Sequence, residues 1–468
     1  MPGIMPLNDA QQPRAHIIKF TNCLLAKDND LVPGDLLINS TTGKIIDGQK
    51  AFYEDRLGPE EVIDLKGRIL APGFIDVQIN GAYGLDFSIV PEKAKGGIAQ
   101  YRKDLAMVNK KLIETGVTSY LPTLPTQDCR VYHEVLPELC PTGDARNPKL
   151  GAESLGAHCE GPFLSPSHKG CHDPSLMQTP SHGILDVGKC YGWENMKWNL
   201  IKMITVAPEL PGALDAIRDL HTYFKDIRIA IGHSAATYTE AQAAVRAGAT
   251  MITHLYNAMT LFQHRNPGIF GVISGPPSSL KPYFGLIADN IHVHPCALNT
   301  AFHTHPAGVI LVTDAMFLLG LPDGVYRWTS GSHIEKRGNE LRLQETGAIA
   351  GSCATMIECV RNFVAGTDAS VGEAIARATE TPAEMLGLGG TKGVLRVGAD
   401  ADLVVLGWNG EDGVGVVLEV EEVWKFGRRV WGGGEVEGDS ADEVVEKEGD
   451  KTGLEEAFEE LEVEKKWE

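Results

Sequence analysis

The chain has 468 residues, of which 43% are apolar and 22% are charged, so it can form one large globular domain and a smaller one. Its formal net charge is −20, and residues 435–468 carry 15 acidic and 4 basic side chains, which is more than half of that charge. A nucleic-acid-binding protein needs a basic face, so the composition excludes that class. We interpret residues 435–468 as a disordered acidic tail.

Cysteine usage and hydropathy indicate the cellular setting. The nine cysteines are dispersed and include no CxxC pair, which is typical of reduced thiols rather than a disulfide framework. No apolar run is long enough to span a bilayer. Residues 1–16 lack the basic and apolar regions of a secretory signal. These features predict a cytoplasmic protein with no membrane partner.

β-prone segments at both ends of the chain, 16–52 and 402–431, enclose a region in which strands and helices alternate. Helices are predicted over 97–115, 237–247 and 371–386, with Gly116 and Gly248 as natural stops after the first two. Eight strands are predicted, at 72–78, 117–122, 155–160, 201–206, 228–232, 250–254, 283–288 and 308–313. Alternation alone also fits an open doubly wound sheet, but eight strands favour a closed parallel barrel.

The predicted fold is therefore α/β, a (β/α)8 TIM-like barrel with a small β-sandwich domain formed from both chain ends. Residues 1–70 and 395–434 are expected to build the small domain, and 71–394 the catalytic barrel. The acidic tail 435–468 follows.

Four predicted strands end in polar residues suited to metal chemistry, namely Glu160, His233, His254 and Asp314. The carboxyl ends of barrel strands meet on one face, so residues distant in sequence can share a site there. One carboxylate and two imidazoles are a common ligand set for catalytic zinc, and a further aspartate can move a proton. Each residue could instead be an ordinary hydrogen-bonded side chain at a strand end, but four together favour a metal site.

Seven segments resemble the N-acetylglucosamine-6-phosphate deacetylases of the amidohydrolase superfamily, in the expected order over roughly residues 20–430. They are PGFIDVQING (72–81), HCEGPFLSPSHKGCH (158–172), GHSAAT (232–237), THLYNAM (253–259), ADNIHVHP (288–295), LVTDAM (311–316) and AGSCATMIECVRN (350–362). The resemblance implies that the (β/α)8 TIM-like barrel is a metal-dependent hydrolase barrel. It also implies hydrolysis of N-acetyl-D-glucosamine 6-phosphate to D-glucosamine 6-phosphate and acetate by metal-activated water.

The resemblance also implies roles for individual residues. Glu160, His233 and His254 match the metal ligands, Asp314 the general base and acid, and His172 a histidine that polarises the acetamide carbonyl. Arg265 matches a phosphate-binding arginine that reaches the neighbouring site across a homodimer interface. The remaining positions that match substrate contacts are Cys171, Asn257, Ala258, Asp289, His292, Ile349, Ala350 and Gly351.

Residues Gln78-Ile79-Asn80 stand where many amidohydrolases have the H-x-H ligands of a second metal. Neutral amides are poor zinc ligands, so we expect one divalent ion per subunit, Zn²⁺ first and Fe²⁺, Co²⁺ or Mn²⁺ as alternatives. We expect Gln78 and Asn80 to form hydrogen bonds within the barrel mouth instead.

Two other interpretations of the chain stay open. One is deacetylation of a different acetamido sugar phosphate, and the other is a non-catalytic barrel that only binds. Segment 178–200 has no functional assignment.

Overall fold

The structure is a computed structural model that describes residues 15–276, 280–328, 331–410 and 412–433. The predicted acidic tail lies outside these residues. Within them, no helix has the length and apolar character needed to cross a membrane.

The described elements follow the predicted alternation. In chain order, the strands are β1 (Ile17–Lys27), β2 (Asp30–Asn39), β3 (Lys44–Ile46), β4 (Glu61–Asp64), β5 (Ile69–Pro72), β6 (Phe74–Ile79), β7 (Gly81–Ala82), β8 (Leu85–Asp86), β9 (Val117–Pro125), β10 (Glu153–Ser154), β11 (Ala157–Glu160), β12 (Ile201–Val206), β13 (Arg228–Ile231), β14 (Met251–Ile252), β15 (Tyr283–Ile287), β16 (Val309–Val312), β17 (Gly324–Arg327), β18 (His333–Arg337), β19 (Glu340–Leu343), β20 (Ile349–Ser352), β21 (Leu403–Trp408), β22 (Leu418–Lys425) and β23 (Arg428–Gly432). The α-helices are α1 (Gly48–Tyr53), α2 (Gly97–Ile113), α3 (Cys129–Val135), α4 (Ile184–Tyr191), α5 (Trp193–Lys197), α6 (Ala213–Tyr223), α7 (Tyr238–Ala247), α8 (Phe270–Ile273), α9 (Pro295–Thr304), α10 (Met356–Gly366), α11 (Val371–Ala378) and α12 (Glu380–Leu386).

Eight parallel strands form the barrel in the order β6, β9, β11, β12, β13, β14, β15 and β16. Between β16 and β6, the Asp314 amide donates to the Gln78 carbonyl at 2.8 Å, and the Thr313 hydroxyl donates to the Asp76 carboxylate at 2.5 Å. The strands are buried on both faces, as expected where helices cover the outside and side chains fill the interior. The predicted TIM-like barrel is confirmed.

The two ends of the chain share one small sheet, in the order β23-β22-β21-β5-β1-β2-β3 with β4 beside β1. Its own apolar core includes Phe20 and Trp424, whose rings pack edge to face with their centroids 5.1 Å apart. The predicted small β domain built from both chain ends is thus confirmed. Its strands fall within residues 17–72 and 403–432.

A buried ionic cluster joins this sheet to the barrel. Lys425 Nζ lies 2.8 Å from Glu153 of β10 and 2.7 Å from Asp402. Lys392 Nζ contacts the same two carboxylates and Asp400 at 2.7–3.1 Å. All five side chains are less than a tenth exposed, so each charge depends on its partners.

Two local features differ from the sequence-based expectation. The helix predicted over 371–386 is two helices, α11 and α12, and Thr379 between them leaves the helical conformation with φ −134° and ψ −78°. Pro382 accounts for this break, because it has no N–H to donate to the carbonyl of Ala378 four residues earlier.

The second difference is an antiparallel sheet formed by strands β17–β20, which the sequence analysis did not identify. These strands are only four or five residues long, at the short end of the range in which an alternation of apolar and polar residues indicates a strand.

Candidate active site

Glu160, His233 and His254 converge at the carboxyl ends of three barrel strands. Glu160 is the last residue of β11, and each histidine lies two residues beyond its strand. Glu160 Oε1 is 3.2 Å from His233 Nε2 and 3.0 Å from His254 Nε2, and the two Nε2 atoms are 3.0 Å apart. Both histidines have positive φ, 46° and 26°, a strained backbone that turns each ring into the barrel mouth.

The three atoms fit a divalent cation. Ligand atoms about 2.0–2.2 Å from a tetrahedral zinc ion lie about 3.3–3.6 Å from each other, close to the spacing here. His233 Nδ1 lies 2.9 Å from the His168 carbonyl, an acceptor that places the proton on Nδ1 and leaves the Nε2 lone pair facing Glu160. His254 Nδ1 is buried and has no hydrogen-bond partner. The residues therefore form a possible metal site.

The charges at this position also favour a cation. Burial alone would raise the pKa of Glu160, but its close contacts with His233 and His254 hold that pKa well below its usual range. Burial alone would lower the pKa of His254, but Glu160 and then Asp314 raise it to about 9. The two carboxylates thus stabilise positive charge where the three ligand atoms meet.

Asp314 lies beside this cluster, two residues after β16. Burial, reinforced by the charge of Glu160, raises the pKa of Asp314 to about 6. Asn80 Nδ2 donates to Asp314 Oδ1 at 2.7 Å, and Gln78 Nε2 lies 3.0 Å from Glu160 Oε1 and 3.3 Å from Asp314 Oδ1. The two amides in the H-x-H position therefore hold the carboxylates through hydrogen bonds.

His172 faces the cluster as a hydrogen-bond donor. Its Nδ1 accepts from the Thr126 amide at 3.1 Å and contacts the Thr126 hydroxyl at 2.9 Å, so the proton of the neutral ring is on Nε2. Burial, with His233 alongside, lowers the pKa of His172 to about 3 and keeps the ring neutral. Glu160, His172 and His233 are an alternative ligand set, because each has one potential ligand atom and these three atoms lie within 4.8 Å of one another. The protonated Nε2 argues for His254 rather than His172 as the third ligand.

These residues line a cavity of about 270 Å³ at the mouth of the barrel. Its volume is near the lower end of the range for small-molecule sites. The predicted substrate and catalytic residues that lie in its wall with the three proposed ligands are Asp314, His172, Cys171, Asn257, Ala258, His292, Ile349, Ala350 and Gly351.

Comparison with known proteins identifies the chain's relatives. The amidohydrolase family model matches residues 69–423. The chain belongs to the amidohydrolase family. It is 40% identical to a curated N-acetylglucosamine-6-phosphate deacetylase of Danio rerio over 91% of this chain and all of that protein. It is 32% identical to an N-acetylgalactosamine-6-phosphate deacetylase of Escherichia coli O157:H7, over 82% of this chain and 93% of that one.

A solved structure is similar across the whole fold. The crystal structure of N-acetylglucosamine-6-phosphate deacetylase from Pasteurella multocida has a TM-score of 0.73 and 27% sequence identity. The match covers 88% of this amidohydrolase and 99% of the solved chain.

Two predicted residues of the amidohydrolase lie outside the cavity wall. Asp289 is buried behind His292, where its Oδ2 lies 2.6 Å from His292 Nδ1 and its Oδ1 accepts the His292 amide at 2.8 Å. Asp289 therefore orients His292. Arg265 is exposed, in a segment that also exposes Leu261 and Phe262.

The sequence analysis missed three residues that shape the site. Asp86 and Trp328 line the cavity, and Trp328 donates a side-chain hydrogen bond to the buried Asp86 carboxylate. Thr126, the residue directly after β9, sets the tautomer of His172. Each lies outside the motifs quoted above, so no local sequence signal marked it.

Proposed function

We propose that this amidohydrolase hydrolyses N-acetyl-D-glucosamine 6-phosphate to D-glucosamine 6-phosphate and acetate. The supporting observation is the convergence of Glu160, His233, His254 and Asp314 in one cavity of a chain 40% identical, over nearly its whole length, to a deacetylase of that name. A non-catalytic barrel that only binds would not need this full set of residues.

Glu160, His233 and His254 would hold one divalent ion, and we propose Zn²⁺ because the donor set is one carboxylate oxygen and two imidazole nitrogens. When bound, such an ion lowers the pKa of a coordinated water and polarises the carbonyl oxygen of an amide. Gln78 and His168 keep the ligand atoms pointed inward through their hydrogen bonds.

Asp314 moves the proton in this mechanism. As a carboxylate it accepts a proton from the attacking water and then returns it to the amine nitrogen as the C–N bond breaks. A pKa of about 6 suits both steps at neutral pH. His172 donates its Nε2–H to the carbonyl oxygen, where negative charge develops during attack.

The remaining contacts are proposed from their positions. His292, oriented by Asp289, presents its ring to the cavity and binds the phosphorylated sugar. We further propose a homodimer in which Arg265 reaches the phosphate in the neighbouring site, because this guanidinium is exposed and lies outside its own cavity wall. We expect a cytoplasmic enzyme, consistent with nine free cysteines.

A second substrate is the natural comparison, since one relative is named for N-acetylgalactosamine 6-phosphate. The two sugars differ only in the configuration of one hydroxyl. Rates of acetate release measured side by side on the two sugar phosphates would identify which hydroxyl configuration the cavity prefers.

The test is acetate release from both sugar phosphates by the protein loaded with Zn²⁺, before and after chelation. Release from N-acetylglucosamine 6-phosphate that stops on chelation and returns with the metal supports the proposal. Faster turnover of the galactosamine substrate would replace the proposed substrate. No release from either by folded, metal-loaded protein would contradict the function.

A further inference from the structure

Two cysteines outside the active site lie in direct sulfur contact. Cys129 Sγ, at the start of α3, is 3.1 Å from Cys190 Sγ, near the end of α4. This separation is shorter than an ordinary contact between non-bonded heavy atoms, which is about 3.5–4.0 Å for carbon. The thiols are free, and α4 lies in segment 178–200, to which the proposed function gives no role.

A route from solvent reaches this pair. A cavity of about 490 Å³ is lined by both cysteines and by polar residues of the same segment, including Gln178 and His182. Cys129 is partly exposed, whereas Cys190 is buried. Gln178 Nε2 donates to Cys129 Sγ at 3.0 Å, so the accessible sulfur also has an amide N–H as a partner. A small reagent therefore meets Cys129 first.

The two helices that carry the cysteines hold a backbone group next to the candidate metal site. The hydroxyls of Tyr132 in α3 and Tyr191 in α4 donate to the Gly161 carbonyl at 2.9 and 2.7 Å. Gly161 directly follows the proposed ligand Glu160. The two tyrosine rings pack edge to face, with their centroids 5.1 Å apart. A covalent bond between Cys129 and Cys190 would thus fasten the helix pair that supports this loop.

We propose that Cys129 and Cys190 are a modification site, a dithiol that small-molecule disulfides oxidise reversibly to an intramolecular disulfide. Cys129 loses its proton, and its thiolate attacks one sulfur of the small disulfide, forming a mixed disulfide and releasing a thiolate that takes up that proton. Cys190 then attacks Cys129 Sγ, its proton passes to the departing sulfur, and a second small thiol leaves. Two protein thiols become one disulfide, and the reagent is reduced to two thiols.

The test uses full-length, metal-loaded protein incubated with oxidised glutathione, followed by alkylation and peptide mapping without reduction. We expect the peptides of Cys129 and Cys190 to be joined, with two of the nine thiols lost to this bond, and a reductant to restore both. Cys190→Ser should instead retain one glutathione on Cys129, because the second cysteine that displaces it is missing. Cys129→Ser should form neither the intramolecular disulfide nor this mixed disulfide. Cys296→Ser, which removes an exposed cysteine elsewhere, should still form the bond.

The melting temperature is a second readout, independent of the peptide mapping. The bond closes a loop of about 60 residues, so the oxidised wild type should melt at a higher temperature than the reduced protein. Cys190→Ser should lack this shift, and Cys296→Ser should keep it. Separate alkylation of Cys129 and Cys190 after oxidation would overturn the proposal. So would protection of the pair that a chelator removes without a reductant, because that result identifies a thiol-bound cation.

Discussion

Asp314 combines burial with the neighbouring charge of Glu160. Its raised pKa makes it a stronger base than an ordinary aspartate, and Asn80 and Gln78 fix its orientation. The amides do not replace its chemistry, because only the carboxyl group can both accept and return a proton.

Asp314→Asn should reduce kcat about 10²–10⁴-fold, because the amide keeps the shape of the side chain but cannot take the proton from water. The metal content of the purified variant should be unchanged, since Asp314 is outside the proposed ligand set. Steady-state acetate release and metal analysis test both statements. Undiminished kcat would contradict the assigned role.

The pH profile follows from the same carboxyl group. With a pKa of about 6, Asp314 is a base above that pH and a neutral acid below it. We therefore expect kcat/KM to rise with pH up to about 6 and then to level off. Metal content measured at each pH is the control, because protonated histidines also release metal. An acidic limb that survives in Asp314→Asn would assign the titration to another group.

At the scale of secondary-structure elements, the buried ionic cluster connects the small sheet to the barrel. Burial alone would raise the pKa of Asp402, but Lys425 and Lys392 hold it far below its usual range. A carboxyl group whose pKa is lower in the folded protein adds stability above its unfolded pKa. That contribution is lost as the pH falls through the folded pKa.

Lys425→Met should destabilise the protein by about 3–5 kcal/mol, because Glu153 and Asp402 would stay buried with one fewer cation. Lys19→Met is the matched control in the same sheet. Its ion pair with Asp35 is 33–41% exposed and contributes about 0–1 kcal/mol. The urea midpoint at pH 7 measures both. Equal small shifts would mean that the buried cluster adds no more stability than the exposed Lys19–Asp35 pair.

For the molecule as a whole, the proposed homodimer places Arg265 of one subunit in the site of the other. Arg265→Ala should raise KM for the phosphorylated sugar far more than for the unphosphorylated one. Arg246→Ala, which removes an exposed arginine from α7, should change neither value. Equal losses on both sugars would argue against phosphate binding.

Mixing two defective variants tests whether Arg265 acts across the interface. A dimer of one Asp314→Ala subunit and one Arg265→Ala subunit has one site with both native residues only if the arginine comes from the partner. Activity should therefore recover when the two variants are unfolded together and refolded. Absence of recovery in a confirmed mixed dimer would place Arg265 in its own subunit's site.

The order of apolar and polar residues along the chain was enough to predict the barrel, the small domain from both chain ends, and the four polar strand ends of the candidate site. Those features are local: periodic apolar runs define strands, and a polar residue at the end of a run marks the catalytic face of such a barrel. The helix predicted over 371–386 was wrong as a single element, because that prediction extended the helix through Pro382 and so missed the break at Thr379.

How the residues of the site act on one another could not be predicted from the sequence and became clear in the folded chain. The Nδ1 contact with Thr126 sets the tautomer of His172, and Asp289 lies behind His292 rather than in the cavity wall. The same holds for the contact between Cys129 and Cys190, which are 61 residues apart in sequence. Such contacts join segments that no local pattern relates, because they depend on where the fold brings the segments together.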